Sequence, residues 1–533
     1  MTGLLADNPL LVLFLVIGIG ALFGSIRLWG VALGPAAALF AGLAFGALDD
    51  DIAGAPALPP LQTLGLILFT YTVGLASGPT FVAGMRRGGA RAALAAVGLV
   101  AVLAALVAGV GALLDLDAGE RAGLFAGATT NTPSLQAAID AIEKGSGASN
   151  PVVAYSLAYP SAILAMIVVL VVMLARAERR PRPASVPPHE EQPASSWTVR
   201  VLRDDLPTLG QLREFSGSKL AFSRYEHAGR VEVATGDVTL QPGDLVVVVG
   251  PKTTVEEFTA WAGERSDRHL ALDRNLLDFR RMVVSNRELA GKRIGDLDLP
   301  SRYGAIITRV RRGDLDLVAS DDLALHLGDR VRVVAPTKTL KAVAKELGDS
   351  DRSLAEVDAR GFALGIAAGL LLGLLVVPLP GGGELELGPG GGPLIVGLVL
   401  GVVSRLGPVT FQIPQAANLT LRQLGILMFL ACAGLRSGTT FADAVGTGTG
   451  AKLAVTGAIV AGVFAAVIAM TVSFVLRRDA IEGSGMLAGV ETQPAALAFA
   501  ADRTGGNERV SAAYALMFPV AMIAKIILVQ FLV

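Results

Sequence analysis

The segment LQTLGLILFTYTVGLASGPTF, residues 61–81, recurs 360 positions later as LRQLGILMFLACAGLRSGTTF, residues 421–441. The two segments align without gaps and share Leu64, Gly65, Phe69, Gly74, Leu75, Ser77, Gly78, Thr80 and Phe81 of the first copy. An apolar stretch of about 20 residues is long enough to span a bilayer as a helix. The sequence therefore predicts a membrane protein built from two copies of one unit.

Two further pairs of segments keep the same order along the chain. GLFAGATTNTPSLQAAID (123–140) pairs with GMLAGVETQPAALAFAAD (485–502), and we align the second with one residue fewer before its proline, so that Pro133 matches Pro494. AYSLAYPSAILA (154–165) pairs with AYALMFPVAMIA (513–524), which places Lys525 at the position of Met166. Because the order is preserved, we expect the whole membrane part to be duplicated.

Charged residues are unevenly distributed. They make up 17% of the 533 residues, against about 25% in an average soluble protein, and they concentrate between Arg176 and Arg360. This asymmetry indicates two membrane blocks around a soluble insert. Apolar runs of spanning length lie at about 9–26, 30–47, 61–78, 92–114, 151–175, 361–379, 392–405, 419–436, 451–476 and 511–532.

The basic residues predict the orientation, because cytoplasmic loops are enriched in Lys and Arg. Arg27, the cluster at 86–91 and ARAERRPRPA (175–184) fall on one side, whereas LDDDIAGAPALPP (48–60) falls on the other. The N-terminus has no basic residues before its apolar run, which predicts a spanning helix rather than a cleaved signal peptide. We expect both termini outside and the insert in the cytoplasm. Five crossings satisfy this arrangement, and residues 119–145 then form a re-entrant hairpin.

An odd number of crossings per copy makes the second copy inverted. The predicted fold class is an α-helical polytopic membrane protein with two inverted repeats, each of about five spanning helices plus a re-entrant hairpin, and a cytoplasmic α+β insert of two tandem modules. The insert repeats internally, since LQPGDLVVVVGPKTTVEEF (240–258) aligns with LHLGDRVRVVAPTKTLKAV (325–343). The predicted boundaries are 1–177 for the first repeat, 178–270 and 271–355 for the two modules, and 356–533 for the second repeat.

Several classes of protein are disfavoured by composition. The net charge of −1 gives no reason to expect nucleic-acid binding. Cys432 is the single cysteine and all four histidines fall in the insert, so the membrane part has no ligands for a cysteine or histidine metal site. GDLVVVVG is not a dinucleotide fingerprint, and no nucleophile–base set is evident. We therefore expect neither an enzyme nor a bound metal or cofactor.

The polar centres of the two hairpins are the candidate binding site. Inverted repeats with broken segments near the midplane are typical of secondary transporters. Hydroxyl and amide groups there suit a carboxylate, and helix N-termini favour anions. The candidates are Thr129, Thr130, Asn131, Thr132, Pro133 and Ser134 in the first hairpin and Glu491, Thr492, Gln493 and Pro494 in the second. The alternative is that these hydroxyl groups cap the hairpin helices and satisfy the broken backbone, and both roles can hold at once.

Three ionisable residues extend this candidate site. Lys525 lies inside the last apolar run and either binds a carboxylate or reaches outward to the interface. Glu491 either binds an ammonium group, carries a coupling proton or balances Lys525. Arg436 either binds a carboxylate or anchors the chain at the interface. Tyr155 begins a predicted span, where anchoring at the interface is the default expectation.

The chain resembles the aspartate–alanine exchanger family of bacterial transporters. The likeness is carried by the paired GLASG and GLRSG segments, the TTNTP and ETQP centres, and the LQPGD and LHLGD turns of the insert. The resemblance implies duplicated membrane halves flanking two regulatory modules of the TrkA C-terminal type. It also implies exchange of amino acids or dicarboxylates, a homodimer, an elevator-type movement of the hairpins, and a small-molecule regulator of the insert.

We therefore predict an antiporter of the bacterial cytoplasmic membrane that exchanges aspartate with alanine or a related, succinate-like dicarboxylate pair. One alternative is a cation/proton antiporter or channel regulated by the insert, although the membrane blocks lack a T-V-G-Y-G filter. A second alternative is a membrane sensor that binds its ligand without transporting it. The partners expected are the small carboxylate substrate and membrane lipid.

Overall fold

The computed structural model describes residues 5, 7–28, 31–32, 34–143, 148–179, 195–216, 220–270, 277–312, 315–350, 357–378, 384–446, 448–504 and 507–533. The chain divides into two compact units. One comprises Met1–Val186, Phe362–Val402 and Asn418–Val533, and the other comprises Pro187–Gly361 and Val403–Ala417. We call them the helical unit and the insert unit.

The helical unit contains two series of helices in matching order. The first series is α1 (Pro9–Gly24), α2 (Ala36–Gly46), α3 (Leu58–Gly84), α4 (Ala90–Leu113), α5 (Ala118–Ala128), α6 (Thr132–Glu143) and α7 (Pro151–Arg179). The second, which follows the insert modules, is α12 (Ala359–Gly373), α13 (Gly388–Val403), α14 (Gln415–Arg436), α15 (Gly438–Gly446), α16 (Gly448–Met470), α17 (Ala480–Glu491), α18 (Pro494–Arg503) and α19 (Glu508–Val529).

Every apolar run predicted to span the membrane coincides with a helix. Within the described residues, six helices are long and apolar enough to cross a bilayer, namely α3, α4 and α7 with their counterparts α14, α16 and α19. The other four, α1, α2, α12 and α13, are apolar but only 11 to 16 residues long. Ten membrane helices were predicted, and length and composition establish six of them.

Small residues allow helices from opposite copies to approach closely. A Cβ atom at Gly74 of α3 would lie 2.4 Å from the Leu394 carbonyl oxygen of α13. In the counterpart contact, a Cβ atom at Gly434 of α14 would lie 2.3 Å from the Leu39 carbonyl oxygen of α2. No larger side chain fits at either contact, so glycine is required where these helices pack together.

The two central helices meet at equivalent glycines. A Cβ atom at Gly65 of α3 would lie 2.7 Å from the Gly425 carbonyl oxygen, and one at Gly425 of α14 would lie 2.6 Å from the Gly65 carbonyl oxygen. When residue i contacts j and j contacts i in the same way, the two partners are related as in a two-fold interface. The contacts between α3 and α14 have this reciprocal form.

The polar segments in both copies are the turns of helical hairpins. Helices α5 and α6 form the first hairpin, and α17 and α18 form the second. Thr130 and Thr492 at the two turns adopt the left-handed conformation, with φ of 49° and 59°. The N–H of the next residue closes each turn. Asn131 N donates to Ala126 O at 2.8 Å, and Gln493 N donates to Ala488 O at 3.0 Å.

This geometry corrects the predicted alignment of the hairpins. The two turns have the same length, so Thr130 corresponds to Thr492 and the position after each is an amide side chain. The match of Pro133 with Pro494 is therefore wrong, and Pro494 is the counterpart of Thr132. The error arose because proline is the most recognisable residue of the turn, whereas the backbone conformation of the preceding threonine defines its register.

The insert unit contains two modules with the same order of elements. The first has β1 (Ser195–Val201), α8 (Leu209–Phe215), β2 (Ala221–His227), β3 (Arg230–Val233), β4 (Leu245–Gly250), α9 (Lys252–Ala262) and β5 (Gly263–Arg265). The second has β6 (Leu277–Val283), α10 (Leu299–Tyr303), β7 (Ile306–Arg312), β8 (Leu315–Val318), β9 (Arg330–Pro336) and α11 (Leu340–Leu347). Their antiparallel sheets run β3-β2-β4-β1-β5 and β8-β7-β9-β6.

The Gly-Asp turns that marked the internal repeat hold each module together. In the second module, Asp329 is fully buried, accepts a hydrogen bond from His326 N at 2.8 Å and pairs with Arg312 at 2.7 Å. In the first module, Asp244 accepts a hydrogen bond from Gln241 N and bonds to His227 at the end of β2. A buried carboxylate with a partner on the neighbouring strand fixes the turn in both modules.

The insert unit also includes the connection between α13 and α14. Leu327 N donates to Gln412 Oε1 at 3.3 Å, and Arg405 Nη1 donates to Glu288 O at 3.4 Å. Phe411 is buried. Residues 403–417 are thus packed on the second module while remaining covalently continuous with two helices of the second helical series.

Candidate functional site

The turns of the two hairpins contact each other directly. Asn131 Nδ2 donates to Thr492 Oγ1 at 3.0 Å, and the Thr130 hydroxyl donates to the Glu491 carbonyl oxygen at 3.3 Å. All four side chains are buried. The prediction that two polar segments more than 350 residues apart come together is therefore confirmed as geometry.

Part of the polar character of the turns serves to cap helices. Asn131 Oδ1 accepts a hydrogen bond from Ser134 N at 2.8 Å, and Gln493 Oε1 accepts one from Ala495 N at 3.2 Å. The Ser134 hydroxyl donates to the Asn131 carbonyl oxygen, and the Thr129 hydroxyl donates to Phe125 O in its own helix. The capping alternative is thus correct for these groups. The N-termini of α6 and α18 nevertheless lie at the place where the two turns meet, which we call the junction. Their helix dipoles favour an anion there.

Lys525 joins the two turns. Its Nζ donates to Thr492 Oγ1 at 3.2 Å and to the Thr129 carbonyl oxygen at 3.4 Å, and the residue is fully buried. The alternative in which Lys525 reaches outward to the interface is therefore wrong. An ionisable group buried in a span is costly, so its position beside both turns marks this junction as the candidate site.

Glu491 brings the opposite charge to the same place. Its Oε2 atom is buried and has no hydrogen-bond partner among the described residues. The carboxylate interacts electrostatically with Lys525, but no direct ion pair joins the two side chains. A buried carboxylate oxygen without a partner is expensive to maintain, which favours a functional role for Glu491.

Two tyrosines on α7 complete the junction. The Tyr155 hydroxyl lies 3.3 Å from Thr132 Oγ1, and the Tyr159 hydroxyl accepts a hydrogen bond from Gln493 Nε2 at 3.3 Å. Their rings are in contact, with centroids 5.4 Å apart. The expectation that Tyr155 anchors at the interface is wrong, because it is fully buried. Sequence reasoning missed Tyr159, although spacing of four residues places both rings on one helix face.

Arg436 lies away from the turns, and the two prolines of the hairpins differ in exposure. Arg436 does not contact the turns and instead bonds to Gln62 Oε1 at 3.0 Å and Glu143 Oε1 at 3.2 Å. Glu143 ends α6, about 16 Å along the helix axis from the turn. Pro133 is buried in the first turn of α6, whereas Pro494 begins α18 and is exposed.

The junction thus combines one ammonium group, one carboxylate, hydroxyl and amide groups, and two helix N-termini, and the polar side chains that meet there are buried. This set can hold a small molecule that carries a carboxylate, by itself or with an ammonium group. Within the described part of the chain no group of three or more histidine, cysteine or acidic residues is arranged to hold a metal ion.

The fold and this site define a multi-pass membrane protein with a central α+β insert. A profile described as a predicted permease membrane region, of the aspartate–alanine exchanger type, matches residues 12–175 and 361–533. A TrkA-C domain profile matches residues 279–348, in the second module. The chain belongs to the aspartate–alanine exchanger family.

Relatives match this chain over its whole length. It is 40% identical to an uncharacterized transporter of Geobacter sulfurreducens, with 100% of this chain and 99% of the relative covered. It is 39% identical to an uncharacterized transporter of Cutibacterium acnes, with 100% and 99% covered, and 40% identical to one of Symbiobacterium thermophilum, with 99% and 98% covered. No solved structure matches the chain.

Proposed function

We propose that the protein is a secondary antiporter that exchanges small amino acids or dicarboxylates across the bacterial cytoplasmic membrane. The aspartate–alanine pair and succinate-like dicarboxylates are the substrates proposed. One observation carries this proposal: Lys525 is buried between the two hairpin turns and donates a hydrogen bond to each. Membership of a permease family and relatives named as transporters support it.

The charges at the junction favour a carboxylate ligand. The Lys525 ammonium group and the N-termini of α6 and α18 all attract negative charge. In a buried site these interactions are less screened than at a surface. Glu491 has an oxygen without a partner among the described residues and is proposed to receive the ammonium group of an amino acid.

The reciprocal packing of the two copies supports an inverted-repeat arrangement. Gly65 and Gly425 contact each other's carbonyl oxygens, and the α13–α3 contact repeats as α2–α14. A pseudo-two-fold axis in the membrane plane would relate such copies and would give access to the central site from either side in turn. An elevator-type movement of the hairpins, a homodimer and a regulatory role of the cytoplasmic insert belong to the same proposal.

The test is exchange in proteoliposomes. Vesicles containing the purified chain are loaded with alanine, succinate or buffer alone, and uptake of labelled L-aspartate is followed. Uptake that requires an internal amino acid or dicarboxylate is expected, and liposomes without protein are the control. Binding without uptake under any loading would support a sensor. If neither binding nor uptake is observed, the proposed substrates are refuted. Measurements of potassium and proton fluxes in the same vesicles would then test the cation antiporter or channel.

A further inference from the structure

A polar cavity lies at the opposite end of the first hairpin from the turns. Its volume is about 220 Å³, below the range of pockets for drug-sized ligands and suited to a small metabolite. Polar side chains from three helices and two connections between helices line it, namely Gln62, Glu143, Asn150, Arg436 and Ser437. The cavity lies away from Lys525, so the junction site does not account for it.

Arg436 is held in this cavity by only two hydrogen bonds. Nη1 donates to Gln62 Oε1 and Nη2 donates to Glu143 Oε1. A guanidinium group has five N–H donors, and the others have no partner among the described residues. The Arg436 side chain is 28% exposed and that of Glu143 is 59% exposed, so solvent reaches the ion pair. An exposed pair of this kind is weak and exchangeable.

Two buried glutamine amides hold Arg436 in position from the interior of the protein. Gln62 Nε2 donates to Gln136 Oε1 at 2.8 Å, and Gln136 Nε2 donates to the Asp140 carboxylate. Both glutamines are buried. The amide of Gln62 therefore orients the guanidinium group towards the cavity whether or not Glu143 is bound, because its own geometry is set by the interior of the protein.

Arg436 is the group of the cavity that favours an anion, and Glu143 is the other charged residue that lines it. Glu143 offsets the charge of Arg436 but is itself the more exposed partner. The first turn of α7 also faces the cavity through Pro151 and Val152. The N-terminus of a long helix adds a partial positive charge.

We propose that this cavity is a second, peripheral site for small carboxylates, at which the ligand displaces Glu143 from Arg436. The inference deepens the proposed function and rests on it, because the ligand is the transported substrate on its way to the junction. Glu143 acts as an internal competitor that occupies the guanidinium group until a carboxylate arrives.

The site exists in one copy only. Ala76 occupies the position of Arg436 in the first copy, and Arg422 of the second copy occupies the position of Gln62, so the pairing of Arg436 with Gln62 and Glu143 is not repeated on the other side. The peripheral site therefore affects substrate that arrives from one side of the membrane, which is the outer side in the predicted orientation.

The experiment compares two variants of the ion pair with a matched control. Exchange of labelled L-aspartate is measured in right-side-out and inside-out membrane vesicles for wild type, Glu143→Gln and Arg436→Gln. Glu482→Gln is the control, because it removes a carboxylate from Arg509 at the base of the second hairpin without touching this cavity. Thermal melting of each purified variant checks its folding.

Opposite effects of the two substitutions are expected. Glu143→Gln removes the competitor and lowers KM by about two- to fivefold on one side of the membrane. Arg436→Gln raises KM on the same side by about tenfold or more, because a charged hydrogen bond to the ligand is lost. KM on the opposite side, and both values for Glu482→Gln, remain within about twofold of wild type.

Other results would overturn the inference. If the ion pair only fastens the hairpin, both substitutions shift KM in the same direction, and the peripheral site is refuted while exchange stands. A lack of exchange by the wild type refutes the proposed function instead. In that case, calorimetric titration of L-aspartate and succinate into the same purified variants tests whether the peripheral site binds a carboxylate. Equal affinities in Glu143→Gln and Arg436→Gln would refute the peripheral site.

Discussion

Replacing Lys525 with methionine, the residue at the corresponding position of the first copy, should abolish high-affinity substrate binding. Lys525 is fully buried, and its ammonium group is the cation nearest both hairpin turns. Removing one partner of a buried charge pair costs about 2–4 kcal/mol of binding energy, which corresponds to roughly a 30- to 1000-fold increase in Kd. Methionine is unbranched like lysine and only one atom shorter, so the packing of α19 should change little.

The same substitution should also destabilise the protein. Without Lys525, the Glu491 carboxylate loses the opposite charge that interacts with it in the interior, which should lower the melting temperature. The double variant Lys525→Met/Glu491→Gln removes both charges and should recover most of this stability. It should not recover substrate binding. The pair of variants therefore separates a loss of affinity from a loss of folding.

The assay is equilibrium binding of labelled L-aspartate and succinate to purified protein, alongside thermal melting. Binding by Lys525→Met with wild-type affinity would refute the assignment of the site to the hairpin junction. Recovery of both stability and affinity in the double variant would show that the two charges serve only each other. The expected result is recovered melting with affinity still lost.

Three further predictions concern the insert and the helix packing. Asp329→Asn breaks a buried ion pair and should destabilise the second module by about 3–5 kcal/mol, measured as faster hydrogen exchange in residues 325–336; unchanged exchange would contradict it. Burial and the nearby Arg312 guanidinium lower the pKa of His326 to about 4. The unfolded chain, with a histidine pKa of about 6.5, binds more protons below that pH, so the module should lose about 2–3 kcal/mol between pH 6.5 and 4, and His326→Gln should remove this dependence. Gly434→Ala should lower the melting temperature because its Cβ meets Leu39 O at 2.3 Å, whereas Gly98→Ala, with open space around it, should not.

Much of the architecture could be predicted from the sequence. The repeated segment at 61–81 and 421–441 predicted the duplication, and every predicted apolar run is a helix. These features are local, because hydrophobic length and pattern depend on the residues of one segment. The meeting of the two hairpin turns was also predicted, since a polar, proline-containing segment in an apolar surrounding must face other polar groups.

The details of the site could not be predicted in the same way. Tyr159 was missed and Tyr155 was misplaced, because a tyrosine near the start of a span looks the same whether it faces lipid or a hairpin turn. Arg436 was predicted either to bind a carboxylate or to anchor the chain at the interface. Its partners, Gln62 and Glu143, come from two other helices, and no spacing along the chain relates them.

The sequence by itself therefore determined the duplication, the helices, the insert and the polar composition of the hairpin turns. Only the tertiary structure decided that Lys525 points inward to both turns while Arg436 faces a separate cavity. The physical reason is that the direction of a long charged side chain depends on what surrounds it in three dimensions. A buried ammonium group persists only where carbonyl and hydroxyl oxygens receive its hydrogen bonds, and at Lys525 they come from hairpins of opposite copies.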